Sequence, residues 1–251
     1  MHVRERSIKT KGIIFRKTPF KESSLILEVF SKDMGKISVI AKGIKKEKSK
    51  STGLIEILNE LEFVLHKSSA SEWYILKSQS LIKAYLFETD FQTNVVMQAA
   101  VEIYRQMIIS EIDAENYYDL LITYFDFLPK IRKNKIAIFW RFLLRIFKES
   151  GIEMNVQNCI ICFQNKSFVS FYPLKNGFVC KECNQRIMEE AMINISSRSA
   201  EIFQKLEIIG KVIDEIEISK NEIKQINRIF LVHLSEHFHK RFHLKSLEMY
   251  K

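Results

Sequence analysis

Four cysteines, all that the chain contains, stand as Cys159-Ile-Ile-Cys162 and Cys180-Lys-Glu-Cys183, a C-x2-C-x17-C-x2-C arrangement. Two residues between thiolates let one tight turn present both sulfurs to the same ion. Two such turns complete a tetrahedral shell of the kind zinc takes, with Zn–S near about 2.3 Å. The metal would hold each thiol deprotonated, and four thiolates leave no open coordination position. The expected zinc, one ion per chain, is therefore structural rather than catalytic. The competing reading is two redox pairs or four buried thiols. Redox CxxC pairs need a thioredoxin-like setting, which the flanking helical patterns do not provide.

A second constellation is cationic. Lys42, Lys45, Lys46, Lys48 and Lys50 crowd one short stretch in which Glu47 is the only acid. Residues 1–80 carry 16 Lys and Arg against 9 Asp and Glu, most of the net charge of +9 on this 251-residue chain. Ammonium groups track phosphates, so the lysine stretch, extended by Arg16, Lys17 and Lys36, is the expected nucleic-acid-binding set. The plainer alternative is a solvated loop kept basic for solubility. Aromatic residues guide less: with 19 Phe, rings such as Phe20, Phe30, Phe63, Trp73 and Tyr74 read as core before they read as base-stacking surfaces.

Two further groups carry weaker chemistry. His233 and His237 share a helical face at i, i+4 and could share a metal, but no HExxH pattern accompanies them. Arg141 and Arg145, with Lys148, line one side of a helical segment beside Phe139, Trp140, Leu143 and Leu144. A basic edge next to apolar residues suits an acidic peptide with a hydrophobic end, and Arg141 and Arg145 are the expected partner-binding pair. The competing reading is a snorkelling helix face packed on its own core. No GxxxxGK[ST], GxSxG or cluster of paired carboxylates occurs, so an enzyme reading lacks a site.

The elements that must position these residues change character along the chain. Four of the seven glycines lie within the first 53 residues and none between Leu54 and Ser150, which predicts strands first and helices after. Period-2 alternation predicts strands at Gly12–Lys17, around Leu25, Leu27 and Val29, around Ile37, Val39 and Ala41 after a turn at Asp33–Lys36, around Leu61, Phe63 and Leu65, and at Trp73–Ser78. Five short strands predict a small closed barrel of the OB type. From Asp90 the period becomes helical, with a first helix through Val95–Gln106 and further helices at Tyr117–Leu128, Asn134–Ser150, Ser196–Ile209 and Asn221–His239. A hairpin of Phe168–Tyr172 with Gly177–Val179 should join the cysteine knuckles. The fold class is thus α+β: an OB domain over 1–81, then a helical domain over 82–251 with a zinc insert at about 156–186. Met1–Lys11 lacks the apolar core of a secretory signal, and no apolar run is long enough to span a bilayer, so the expected location is the cytoplasm.

Lys21-Glu22-Ser23-Ser24-Leu25-Ile26-Leu27, the Gly35-Lys36 turn, Val39-Ile40-Ala41-Lys42-Gly43 and the closing His243-Leu244-Lys245-Ser246-Leu247 together resemble the bacterial recombination mediator family RecO. The four-cysteine insert within a helical domain matches the zinc-bearing members. The resemblance implies a DNA-binding protein of single and double strands that anneals complementary strands. It also implies work with RecR and the tail of single-stranded DNA-binding protein (SSB) to help load RecA in DNA repair, with no catalysis. An RNA-binding assembly factor and a zinc-containing nucleic-acid enzyme remain the alternatives.

Overall fold

The computed structural model describes residues 7–45, 52–67, 72–87, 89–187 and 192–250. Five strands, β1 (Ser7–Phe20), β2 (Ser24–Ser31), β3 (Gly35–Ala41), β4 (Asn59–Lys67) and β5 (Tyr74–Ala84), close into a barrel in the order β1-β2-β3-β5-β4. Every pairing is antiparallel except β3 with β5, which is the expected OB-type arrangement. The alternation seen in the sequence sets the interior: Leu27, Val29, Val39, Leu61, Phe63 and Leu65 are all buried in one cluster. Gly35 makes the β2–β3 turn at φ +64°, a conformation that costs glycine little.

Two strands outrun their sequence signal. β1 pairs with β4 through Ser7–Ile13 and with β2 through Gly12–Phe20, so it serves two neighbours in succession. β5 continues past Ser78 because β4 pairs with it as far as Ala84, although Lys77, Ser78, Ser80 and Leu81 are exposed. Pairing without a buried face leaves no alternation to read.

The unit built on the barrel comprises the chain to Asn94 together with Tyr104–Asp126. Those added residues come from the end of α1 (Phe91–Gln106) and most of α2 (Ala114–Phe127). Phe15 and Phe30 are buried on the barrel's outside, stacked at 5.6 Å, and each meets the ring of Tyr104 edge-on. Tyr118 donates to buried Glu60 at 2.8 Å and Tyr85 donates to the other carboxylate oxygen at 3.4 Å. Arg105 pairs with Glu28 at 2.7 Å, and Lys32 with Asp119 at 3.1 Å. Aromatic burial does the holding, since the charged pairs are exposed and contribute little each.

The second unit comprises Val95–Ile103 and the chain from Phe127 onward. Its helices are α3 (Lys135–Glu149), a single turn α4 (Lys181–Asn184), α5 (Ser197–Lys205), the short α6 (Ile209–Val212) and α7 (Lys220–His237). β6 (Phe168–Tyr172) pairs with β7 (Gly177–Cys180) and with β8 (Ile193–Asn194). Ser196 caps α5 by accepting from the Ser199 N–H, and Ser219 with Glu222 forms a capping box on α7. A run of rings, Phe168, Phe178, Phe203, Phe230 and Phe147, joins the small sheet to α3, α5 and α7. Among the described residues no helix is long and apolar enough to cross a membrane.

Candidate metal centre and basic surfaces

The two cysteine pairs converge. Cys159 and Cys162 bracket a tight turn closed by the Phe163 N–H on the Cys159 carbonyl at 2.8 Å, while Cys180 ends β7 and Cys183 sits in α4. All four sulfurs lie within 4.8 Å of one another, and Cys162 and Cys180 are 3.9 Å apart. A tetrahedral thiolate shell with Zn–S of about 2.3 Å needs sulfurs about 3.8 Å apart, so the cluster fits that ion. Tyr172 and Val179 are buried with Cys159, Cys180 and Cys183, while Cys162 is half-buried at the edge of the cluster. Gly177 is required by the approach of the first knuckle, because a Cβ there would stand 2.2 Å from Cγ2 of Ile160.

The electrostatics of the cluster call for a cation. Burial pushes the Cys159 thiol up, but the backbone N–H groups of Cys162, Cys180 and Ile161 outweigh it and bring it down to about 6. Burial raises Cys183, and hydrogen bonds to its neighbours with the charge of Cys159 raise it further. Four thiolates at these distances can coexist only around a positive ion. Lys166 and Glu182 form an exposed ion pair at 2.5 Å between the two knuckles.

The histidine pair is engaged elsewhere. His233 holds Nε2 2.8 Å from the carbonyl of Ile152, which makes that nitrogen the donor, and His237 places Nε2 2.7 Å from Oδ1 of Asn176. A metal shared through these two nitrogens would displace both bonds, and the pair reads as a strut between α7 and the loops it carries.

The expected cations separate into three groups. Lys42 and Lys45 are exposed where the chain leaves β3, with no acidic partner among the described residues, and the Lys45 N–H donates to the Ser23 carbonyl at 3.0 Å. Lys46, Lys48 and Lys50 lie outside the described residues. Arg16 is 3.6 Å from Glu28 and Lys17 is 2.5 Å from Glu56. Lys36 donates to the carbonyls of Met107 and Arg105 at the end of α1. It opens β3 whereas Lys42 follows it, about 20 Å away at roughly 3.3 Å per residue. The structure therefore does not gather Lys36 with the lysine stretch. It does gather Lys21 and Lys67, which the sequence reading passed over: Phe20 pairs with Ser24, Leu25 with Ala41, and both Lys67 and Val39 with Tyr74, which puts the β1–β2 turn, the exit of β3 and the start of β5 at one end of the barrel. No local pattern marks Lys21 or Lys67, since strand register brings them there.

On the second unit, Arg141 and Arg145 line a groove of about 850 Å³ with Leu144, Lys148, Lys175 and the exposed ring of Phe163, while Glu153 and Glu207 supply its acids. Neither guanidinium has an ion pair among the described residues. Burial lowers the Arg141 pKa, and the neighbouring charge of Arg145 lowers it further.

Comparison with known proteins matches the chain in two successive parts. Residues 3–85 match the model of the recombination protein O N-terminal domain and residues 88–248 that of its C-terminal domain. Relatives include DNA repair protein RecO of Acetivibrio thermocellus, 24% identical over 94% of this chain and 93% of its own length, and that of Caldicellulosiruptor bescii, 27% identical over 89% and 85%. That of Clostridium perfringens is 28% identical over 70% of this chain and 72% of its own.

Proposed function

From the premise that the chain belongs to the recombination protein O family, we propose that it is a non-catalytic DNA-binding mediator of recombinational repair. It binds single and double strands, anneals complementary ones, and acts with RecR and SSB to help load RecA in the cytoplasm, at the nucleoid. The observation that carries this reading is the closed barrel with Lys42 and Lys45 exposed at the end where the lysine stretch begins. Screening of phosphate repulsion by such cations lets two strands approach while their bases stay free to pair. Arg16 and Lys17 enter the contact by exchanging the exposed carboxylates of Glu28 and Glu56 for phosphates, whereas Lys36 stays on the carbonyls that end α1.

One zinc per chain, held by Cys159, Cys162, Cys180 and Cys183, has the structural role of joining the two knuckles across a sheet of few residues. The filled shell leaves no position for a substrate, which supports the non-catalytic reading. Arg141 and Arg145 take the acidic, apolar-ended tail of SSB, the guanidiniums receiving carboxylates and Leu144 and Phe163 the apolar end. The test is annealing of complementary strands, bare and coated with SSB. Both are accelerated without nucleotide hydrolysis, and removal of the SSB tail abolishes only the second. Strand cleavage or ATP turnover that copurifies with the protein refutes the mediator reading, and tail-independent annealing of coated strands refutes the docking.

A further inference from the structure

The barrel end that carries the lysines also carries an exposed indole. Tyr74 fills the barrel, so its neighbour Trp73 faces outward, with 38% of its surface exposed. The Trp73 and Phe20 rings meet at 6.1 Å and 79°, an edge-to-face contact. Around these rings stand cations: Lys21 lies 5.5 Å from the Phe20 ring centre, Lys67 lies 5.3 Å from that of Tyr74, and Lys42 and Lys45 are on the same barrel end. The exposed acids nearby in sequence are Glu22 and Glu72.

An outward aromatic pair in a cationic rim matches a ligand that offers a flat π-face and an anion in alternation. A nucleic-acid strand does so at every nucleotide, provided its bases are unpaired, because the faces of duplex bases are already stacked. A purely apolar protein surface would leave the four ammonium groups without partners. We propose that Trp73, braced by Phe20, is a stacking platform for an unpaired base, with Lys21 and Lys67 holding the flanking phosphates. This inference rests on the DNA-binding reading above and adds to it a residue-level preference for single strands.

Tryptophan emission reports on the platform directly. The chain has two tryptophans, and Trp140 is fully buried with its Nε1 donating to Asn227 at 2.7 Å, so quenching by a ligand at the surface arises at Trp73. The full chain is titrated with an oligothymidine of about 15 nucleotides, a duplex of equal charge, and inorganic polyphosphate, which has no bases. Quenching accompanies only the oligothymidine. Trp73→Ala weakens that binding about ten-fold and leaves polyphosphate binding unchanged, while Trp73→Phe restores most of it. Oligothymidine binding with no quenching, or equal weakening of both ligands by Trp73→Ala, overturns the platform and leaves the phosphate contact standing. Failure of all three ligands to bind overturns both readings.

Discussion

Acid should weaken the second unit through one histidine. His233 is fully buried, within 4.5 Å of the Phe147 ring and 4.5 Å of the His237 ring, and donates Nε2–H to the Ile152 carbonyl. That tautomer leaves Nδ1 as a buried acceptor with no hydrogen-bond partner among the described residues, so a second proton would place an uncompensated charge among aromatic rings. Burial, with the neighbouring His237, lowers its pKa from 6.5 to about 4, the Ile152 bond opposing. Above pH 6.5 both folded and unfolded chains hold a neutral imidazole and the group contributes no pH dependence. Between 6.5 and 4 the unfolded chain takes the proton and the folded one does not, so stability falls as pH falls, and below 4 the loss is complete. At 1.36 kcal/mol per unit the full loss is about 3 kcal/mol, and about 2 kcal/mol of it appears between pH 7 and 5, before most carboxylates titrate. Urea unfolding followed by the emission of Trp140 measures it. His233→Gln keeps a donor for Ile152 and removes the titration, so its stability should be flatter across this window by about that amount. Identical slopes in the two proteins would refute the assignment.

Metal analysis of purified protein should give about one zinc per chain, and Cys159→Ser should lose it and destabilise the second unit while leaving salt-sensitive DNA binding in place; four freely reactive thiols in the folded chain would contradict this. Gly177→Ala should cost about 1–3 kcal/mol through the clash with Ile160, and Ile160→Ala added to it should recover part of the loss, measured as resistance of the metal to a chelator. Replacing Lys42 and Lys45 by Ala should flatten the dependence of log K on log salt by about 1.4 for single strands, at about 0.7 per phosphate contact.

What could be read without coordinates was what neighbouring residues encode. Alternation of Leu25, Leu27 and Val29 specifies a strand with one buried face, Ser196 before a helical period specifies a cap, and the cysteine spacing specifies two knuckles, because each depends on residues a few positions apart. The four sulfurs did converge, with the expected hairpin between them. Availability of a side chain is a different matter, since it depends on what distant segments bring beside it. Lys36 carries the same charge as Lys42, yet one is bonded to the carbonyls ending α1 and the other faces solvent. Phe30 and Trp73 are both aromatic residues of the barrel region, but Tyr104 buries the first and strand register leaves the second at the rim. His233 and His237 have metal-binding spacing, but their Nε2 atoms meet acceptors at residues 152 and 176, far away in sequence. Residue type and spacing thus determined which chemistry the chain possesses. Only tertiary pairing decided which of those groups is free to use it, because a hydrogen bond or ion pair formed across the fold removes a group from the surface without leaving a trace in local sequence.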